Sequence, residues 1–445
     1  MRVESRLSWL AVAAGSALCA SVAAVGADAR WLAALGAAIV HAGRIPASIP
    51  YAAAPSHGWV DVPVLGELVF HWLEALGGDR ALVAAQAVAV AATLTLLLRD
   101  MRAARAADGA RALVIVAIPF AAVSALFVVR AQLFSLPLFA LLVLLLRGEA
   151  RSPSRRVWLV VPLVALWSNL HGAVLIGLAV ASAYLVLERM RRERWTALSV
   201  LVAAWCALFA TPALARTGDY YLRVLHGEPA ASGFGLWAPL SLYNALDVLF
   251  LVVALPLLWF AWRGHPRKWE LVSLVLLAVS ALHVGRNSIW FVLFVATPAA
   301  VGLGMHRARP TRNVVLACAW VVPIVLLATA FVRPSAQTVA GAALRADAVR
   351  LAAGAPILAD PEDAEQLALD GRRVWIANPI DAFDRGDQRL YLDWLRGSPA
   401  GAALLRRHGV VLVRLDSTPQ RRLAHNAAFR EVGRDAAAVL YARRY

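Results

Sequence analysis

The residues able to do chemistry are few, and they stand in the connections between long apolar stretches. They are Asp28, Asp61, Glu67, Arg130, His171, Arg286 and Asn287. A carboxylate can take a proton from a hydroxyl or an amine, and an arginine can clamp a phosphate through its planar guanidinium group. Their spacing fits no dinucleotide, phosphate-loop, metalloprotease or serine-hydrolase motif, so chemistry on a soluble nucleotide is not indicated.

Each of these residues also has a simpler interpretation. Taken alone, Asp28, Asp61 and Glu67 are more typical of solvated carboxylates in a loop. Arg130 is consistent with an arginine that extends its charge to a membrane surface, and His171 with a structural histidine at a helix end. The residue types alone leave both interpretations open.

The composition indicates an α-helical polytopic membrane protein. Of 445 residues, 61% are hydrophobic and 16% charged, whereas soluble domains carry about 25% charged residues. The apolar residues form runs near the length that crosses a bilayer as a helix, which predicts about eleven spans. The predicted spans are 7–25, 81–98, 112–129, 132–146, 157–170, 173–187, 196–211, 246–262, 271–284, 288–303 and 314–332.

Arginines are concentrated in every second connection between these spans. The basic connections lie within 99–111, 147–156, 189–194, 263–268 and 307–312. By the positive-inside rule they face the cytoplasm together with the N terminus, and the connections with the candidate residues face outward. The net charge of +16 is therefore attributed to orientation and anionic lipid head groups, and no nucleic-acid partner is expected.

The sequence predicts two domains. Residues 1–334 form the membrane domain, with a first external loop at 26–80 that contains an amphipathic helix at 64–76. Residues 335–445 form a small extracytoplasmic α/β domain. Its predicted strands are 356–359, 373–377, 410–414, 429–432 and 438–442, and its predicted helices include 342–353 and 388–396. Three cysteines lie within apolar runs and show no metal or disulfide spacing.

The candidate residues belong to ordered sequence segments. The first loop holds Asp28-Ala-Arg-Trp31 with Gly36, Gly43-Arg44-Ile45-Pro46, and Trp59-Val60-Asp61 followed by Glu67; later come Arg130-Ala-Gln-Leu-Phe-Ser135, Trp167-Ser-Asn-Leu-His-Gly172 and Arg286-Asn287. In this order they resemble a family of multi-pass bacterial membrane proteins in the GT-C-type glycosyltransferase superfamily, which includes the lipid-linked-sugar protein mannosyltransferases. The C-terminal segment, with Val374-Trp375-Ile376 and 409–414, is similar to that family's tail.

The resemblance implies sugar transfer from a polyprenyl-phosphate donor to an unknown acceptor at the outer face of the inner (plasma) membrane. Asp28 matches the superfamily's catalytic carboxylate and would be the base. Arg130 and Arg286 would clamp the phosphate, and His171 would support them; Asn287, Asp61 and Glu67 are further substrate-binding candidates. The expected partners are membrane lipid, the polyprenyl-phosphate-linked sugar and the acceptor. No cofactor is indicated with certainty, and the need for a divalent metal is left open.

The sequence also departs from the family pattern. Arg30 replaces its first tryptophan, Leu32 its histidine, Ile49 its first-loop aspartate before proline, and Gly66 the histidine before Glu67. These losses support an alternative hypothesis, a catalytically degenerate scaffold that binds a lipid or a partner. A secondary transporter is disfavoured because the sequence shows no repeated halves.

Overall fold

Long apolar runs interrupted by proline, glycine and charged turns produce a mostly helical chain. The computed structural model describes residues 6–304 and 339–444. In chain order the first segment forms α1 (Arg6–Ser21), β1 (Ala24–Val25), α2 (Ala27–Ala42), α3 (Val64–Ala103), α4 (Asp108–Ala121), α5 (Val123–Leu126), β2 (Val128–Val129), α6 (Ser135–Arg151), α7 (Val160–Ser168), α8 (Val174–Leu187), α9 (Arg194–Ala207), α10 (Thr217–His226), α11 (Glu228–Ala231), α12 (Ala245–Arg263), α13 (Lys268–His283) and α14 (Ser288–Leu303).

The contacts divide the chain into two units. Unit 1 contains the described residues of 1–23, 80–214 and 236–334, and unit 2 contains those of 24–79, 215–235 and 335–445. The segment that the sequence analysis describes as a first external loop therefore belongs to the same unit as the C-terminal segment. The predicted amphipathic helix at 64–76 and the predicted span at 81–98 are two helical stretches within α3, separated at Gly77 and Gly78, whose backbone angles are not helical.

Within residues 6–304 and 339–444, four helices are long and apolar enough to cross a membrane: Val64–Ala103, Ala131–Arg151, Ala245–Arg263 and Gly285–Leu303. These helices support a membrane-embedded protein. The predicted count of about eleven spans is not supported, because most of the other apolar runs form helices of 9 to 16 residues. An α-helix of 14 residues rises about 21 Å, short of a hydrocarbon core of about 30 Å.

These helices are shorter than the predicted spans because the backbone leaves the helical conformation within the apolar runs. A hydropathy average does not detect such breaks. The predicted span 112–129, for example, breaks into α4, which ends at Ala121, the short α5 and an extended pair at Val128–Val129. The predicted last span, 314–332, lies outside the described residues.

A buried ionic network joins four helices of unit 1. The Arg147 side chain on α6 is 3% exposed; it donates to Asp100 Oδ2 on α3 and to Glu270 Oε1 on α13, both at 2.7 Å, and to the Phe294 carbonyl on α14 at 2.8 Å. Thr297 Oγ1 donates to the same Asp100 oxygen at 2.8 Å. Arg147, predicted at the start of a basic connection, lies within α6 and forms an internal cross-link between helices.

Unit 2 contains the predicted C-terminal sheet, with helices around it. The C-terminal elements are α15 (Ala342–Ala352), β3 (Leu358–Ala359), α16 (Pro361–Leu369), α17 (Arg385–Leu395), α18 (Ala402–Arg407), β4 (Val410–Arg414), α19 (Thr418–Ala424), β5 (Phe429–Arg434) and β6 (Ala438–Arg443). The strand order is β3-β4-β6-β5; β3 and β4 are parallel, and the other pairs are antiparallel. The small C-terminal sheet is therefore confirmed.

The hydrophobic core of unit 2 combines distant parts of the sequence. Leu35, Tyr51 and Trp59 are buried with Leu358 and Val411 in one cluster. The predicted strand at 373–377 is an irregular connection in which Val374 forms parallel bridges to both Ala52 and Ile357. Segment 24–79 thus extends the sheet edge and covers its core.

Candidate functional site

The structure distributes the predicted site residues over both units. Unit 2 contains Asp28, Asp61 and Glu67, whereas unit 1 contains Arg130, His171, Arg286 and Asn287. Each group is described by itself. We call Asp28, Asp61, Glu67, Glu365 and Tyr51 the carboxyl cluster, and Arg130, Ser135, Trp167, His171 and Arg286 the polar turn group.

Asp61 and Glu67 form a pair of buried carboxyl groups. They are 6% and 0% exposed, respectively, and none of their four oxygens has a hydrogen-bond donor of ordinary geometry among the described residues. The two groups are close enough to hydrogen-bond each other when one of them carries a proton, and burial raises the pKa of Asp61 to about 6. Such uncompensated burial is costly and is concentrated at functional sites.

Helix α2 connects this pair to Asp28. Asp28 lies in the first turn of α2, where the helix dipole favours a negative charge, and it is partly exposed. Two turns later, a Cβ atom at Gly36 would lie 2.2 Å from the Glu67 carbonyl oxygen and 2.7 Å from the His71 Cβ. Glycine at position 36 therefore lets α2 contact the first turns of α3, where Glu67 lies.

Glu365 and Tyr51 are members of the cluster that the sequence analysis missed. Glu365 is fully buried on α16; its Oε1 accepts from the Asn378 amide at 2.6 Å, and its Oε2 has no partner among the described residues. Burial raises the pKa of Glu365 well above its usual range, and the charge of Asp28 contributes. A glutamate on a helix of the C-terminal segment has no sequence signal that distinguishes it from a surface residue.

Tyr51 lies within electrostatic reach of three of these carboxyl groups. Its hydroxyl donates to the Asn378 carbonyl at 3.2 Å. Burial raises its pKa, and the charges of Glu365, Glu67 and Asp61 raise it further, in that order. The carboxyl cluster is therefore one electrostatically connected group.

Arg30 holds the turn that carries Asp28. Its side chain is 3% exposed and donates to the Val25 carbonyl at 3.0 Å, to Gln366 Oε1 at 2.8 Å and to Asp79 Oδ2 at 3.4 Å. The residue that departs from the family's tryptophan thus ties α2 to α16 by hydrogen bonds.

We expect the protein to lose stability as the pH rises through about 6 to 7. Burial raises the pKa of Asp61 and Asp363 to about 6 and that of Asp360 to about 7. A carboxyl group with a raised pKa in the folded state binds its proton more tightly there, so its contribution is fully present below about pH 4 and is lost at higher pH, at about 1.4 kcal/mol per pKa unit.

The measurement is the Tm of the purified protein between about pH 5 and about pH 8. Asp61→Asn should reduce the fall in Tm, whereas Asp384→Asn, at an exposed position of unit 2, should leave the fall unchanged. A Tm that rises with pH across this interval would contradict the assignment.

In unit 1, three predicted residues lie at turns. Arg130 precedes the 3-10 turn Ala131–Phe134; it is half-buried, and its Nε has no hydrogen-bond partner among the described residues. Arg286 lies in the 3-10 turn Gly285–Asn287, with its guanidinium carbon 3.5 Å from the centroid of the Trp237 ring. The Asn287 side-chain amide donates to Ser280 Oγ at 2.9 Å, so it contributes to the turn.

His171 lies within electrostatic reach of Arg286. Burial and the charge of Arg286 lower the pKa of His171 to about 3, which makes its imidazole neutral at physiological pH. Ser135 Oγ lies 2.7 Å from His171 Nδ1 and accepts from Trp167 Nε1 at 2.6 Å. His171 is therefore suited to neutral hydrogen bonding and not to serving as a cation.

A cavity of about 500 Å³ lies elsewhere in unit 1, and none of the predicted site residues lines it. Its lining residues are Ser154, Arg155, Trp158, Arg189, Glu193 and Thr196. Arg189 is neutralised there by Glu149 at 3.2 Å and Glu193 at 2.8 Å. We therefore do not assign an anion site to it.

Among residues 6–304 and 339–444, no group of three or more histidine, cysteine, aspartate or glutamate side chains is arranged to hold a metal ion. The sequence matches no protein-family model and no curated protein.

Proposed function

We propose that this protein is a GT-C-like membrane glycosyltransferase. It transfers a sugar from a polyprenyl-phosphate donor to an acceptor at the outer face of the inner membrane. Its N terminus is cytoplasmic, and the α/β region at its C terminus is extracytoplasmic. The four apolar helices support a location in a membrane, and the distribution of arginines supports this orientation.

The observation that carries the proposal is the carboxyl cluster of unit 2. Transfer to a hydroxyl or amine requires a base that is reachable by the acceptor. Asp28 is the partly exposed carboxylate of this group, and it lies close enough to the buried Glu365 to raise its pKa. We assign Asp28 as the base and the buried carboxyl groups as its electrostatic surroundings.

Asp61 and Glu67 have a less direct part in this proposal. Glu67 is fully buried, so a contact between its carboxyl group and a substrate requires the segment before α3 to open. With that segment in the position the structure shows, Asp61 and Glu67 can hold one proton between their two carboxyl groups, because neither group has a positive partner among the described residues.

The polar turn group of unit 1 supports recognition of the donor's phosphate. Arg130 has a buried Nε without a partner among the described residues, and the charge of Arg286 acts on a neutral histidine, His171. Two guanidinium groups can neutralise the charge that develops on a leaving phosphate, and this electrostatic effect is usually the largest contribution to catalysis.

The proposal is tested by binding of polyprenyl phosphate to the purified full-length protein. Replacing Arg130 with alanine removes a charge-assisted contact, so we expect binding to weaken about tenfold or more. The matched control is Arg99→Ala, which removes an exposed arginine in a predicted cytoplasmic connection and should leave the Kd unchanged. Equal affinities of wild type and Arg130→Ala would contradict the phosphate assignment.

A second candidate function is a catalytically degenerate scaffold of the same fold that binds lipid or a partner. The observation that favours it is that Leu32 and Ile49, which stand where the family has polar residues, are 1% and 3% exposed and pack as core side chains. Binding of polyprenyl phosphate without transfer from any lipid-linked sugar would favour the scaffold.

A further inference from the structure

A short hydrogen-bond chain in unit 1 ends at His171. Trp167 Nε1 donates to Ser135 Oγ at 2.6 Å, and this oxygen lies 2.7 Å from His171 Nδ1. Ser135 and Trp167 are fully buried, whereas His171 is partly exposed. The chain therefore connects a fixed interior group to a histidine at a turn.

The donors in this chain determine which ring nitrogen of His171 carries the hydrogen. The indole N–H can only donate, so it occupies a lone pair of the Ser135 oxygen and leaves the serine hydrogen available for His171 Nδ1. The Ala173 amide also points to Nδ1, at 3.4 Å. Because both neighbours donate to Nδ1, this nitrogen is an acceptor, and the neutral ring carries its hydrogen on Nε2.

Close packing fixes the start of the chain. The Trp167 ring packs against both Phe139 and Trp290, with centroid distances of 6.4 Å to each. A Cβ atom at Gly177 would lie 2.4 Å from Cζ3 of the indole, so glycine makes the space that the ring occupies. The indole N–H therefore cannot turn away from Ser135 without disturbing several buried side chains.

We infer that Ser135 and Trp167 are positioning residues that hold His171 as a neutral hydrogen-bond donor, with its Nε2–H directed to a phosphate oxygen of the lipid-linked donor. The phosphate contact rests on the function proposed above. Nε2 has no partner among the described residues. A neutral donor beside Arg286 adds a hydrogen bond to the phosphate without adding a second positive charge next to that guanidinium.

The first test reads the tautomer directly. Full-length protein with ¹⁵N-labelled histidine, in lipid nanodiscs, is examined by long-range ¹H–¹⁵N correlation; His171→Gln identifies the resonances among those of 10 histidines. We expect His171 Nδ1 to have the shift of an unprotonated nitrogen and Nε2 that of a protonated one, without titration between about pH 8 and about pH 5. A hydrogen on Nδ1, or titration in this interval, would overturn the inference.

Substitutions then test the chain. Ser135→Ala should give a mixture of tautomers, and Ser135→Thr, which keeps the hydroxyl, should restore the wild-type pattern. The matched control is Ser168→Ala, because Ser168 is also fully buried but donates to the Ala165 carbonyl; its His171 resonances should match the wild type. A Ser135→Ala spectrum identical to the wild-type spectrum would refute the positioning role.

The phosphate contact has a separate readout. Added polyprenyl phosphate should shift the Nε2 resonance of wild-type His171. Ser135→Ala should weaken binding in proportion to the fraction of rings that no longer carry the hydrogen on Nε2, about twofold for an even mixture of tautomers. If wild type does not bind polyprenyl phosphate, the proposed function fails, while the tautomer pattern still decides the positioning role. If wild type binds but the Nε2 resonance does not move, the phosphate contact is refuted.

Discussion

Asp28→Asn is expected to reduce sugar transfer about 10²- to 10⁴-fold, the range in which a general base contributes to catalysis. The amide has nearly the same shape as the carboxylate but cannot accept the acceptor's proton. Because Asp28 is partly exposed and Arg30 holds its turn through its own hydrogen bonds, the variant should fold. The measurement is turnover of a polyprenyl-phosphate-linked sugar by purified protein, with the Tm recorded in parallel.

The control for Asp28→Asn is Asp384→Asn, the same chemical change at an exposed position of unit 2. It should retain wild-type turnover. If Asp28→Asn retains turnover as well, Asp28 is not the base.

The largest effect on stability is expected from Arg147→Met. The substitution keeps an apolar side chain in the space but leaves Asp100 and Glu270 without their shared cation. Breaking a buried ion pair by removing one partner costs about 3–5 kcal/mol. The loss should appear as a lower free energy of unfolding in denaturant titrations of the detergent-solubilised protein.

Two comparisons make this prediction specific. Arg151→Met should have a small effect, because Arg151 lies 3.8 Å from Asp100 and its side chain is 35% exposed. Combining Arg147→Met with Asp100→Asn and Glu270→Gln should recover much of the lost stability, since no uncompensated charge then remains. Equal stabilities of Arg147→Met and Arg151→Met would show that the network is not a main source of stability.

The C-terminal sheet could be predicted because its signal is local. The predicted strand 410–414 is observed as β4, and β5 and β6 extend the predicted strands by one or two residues. Residues 373–377 have the composition of a strand, but Val374 pairs with segments on either side through isolated bridges. One of these segments lies far away in the sequence, and no local pattern marks the pairing.

The number of spans could not be predicted from hydropathy. Apolar composition marks the runs, but helix length depends on where the backbone bends. The end of α4 at Ala121 and the non-helical Gly77 and Gly78 inside α3 are such points. A hydropathy window averages across them.

Only part of the candidate site could be predicted from the sequence. Asp28, Asp61 and Glu67 stand out by residue type and position, but nothing in the sequence signals Glu365 or the bond between Arg30 and Gln366, which are separated by 336 residues. Burial at such a distance follows from tertiary packing. The pairing of Asp61 with Glu67 and the proximity of His171 to Arg286 likewise became visible in the fold.

The division of unit 2 among distant segments has a consequence for how the polypeptide matures. Leu35, Tyr51 and Trp59 leave the ribosome long before Leu358 and Val411, with which they share a core. Until synthesis ends, these side chains lack their C-terminal partners, and a nascent chain with exposed apolar surface is prone to aggregation. Translation must therefore reach the last strands before segment 24–79 can complete its folding. A prematurely terminated chain would leave this segment unfolded and open to quality-control proteases.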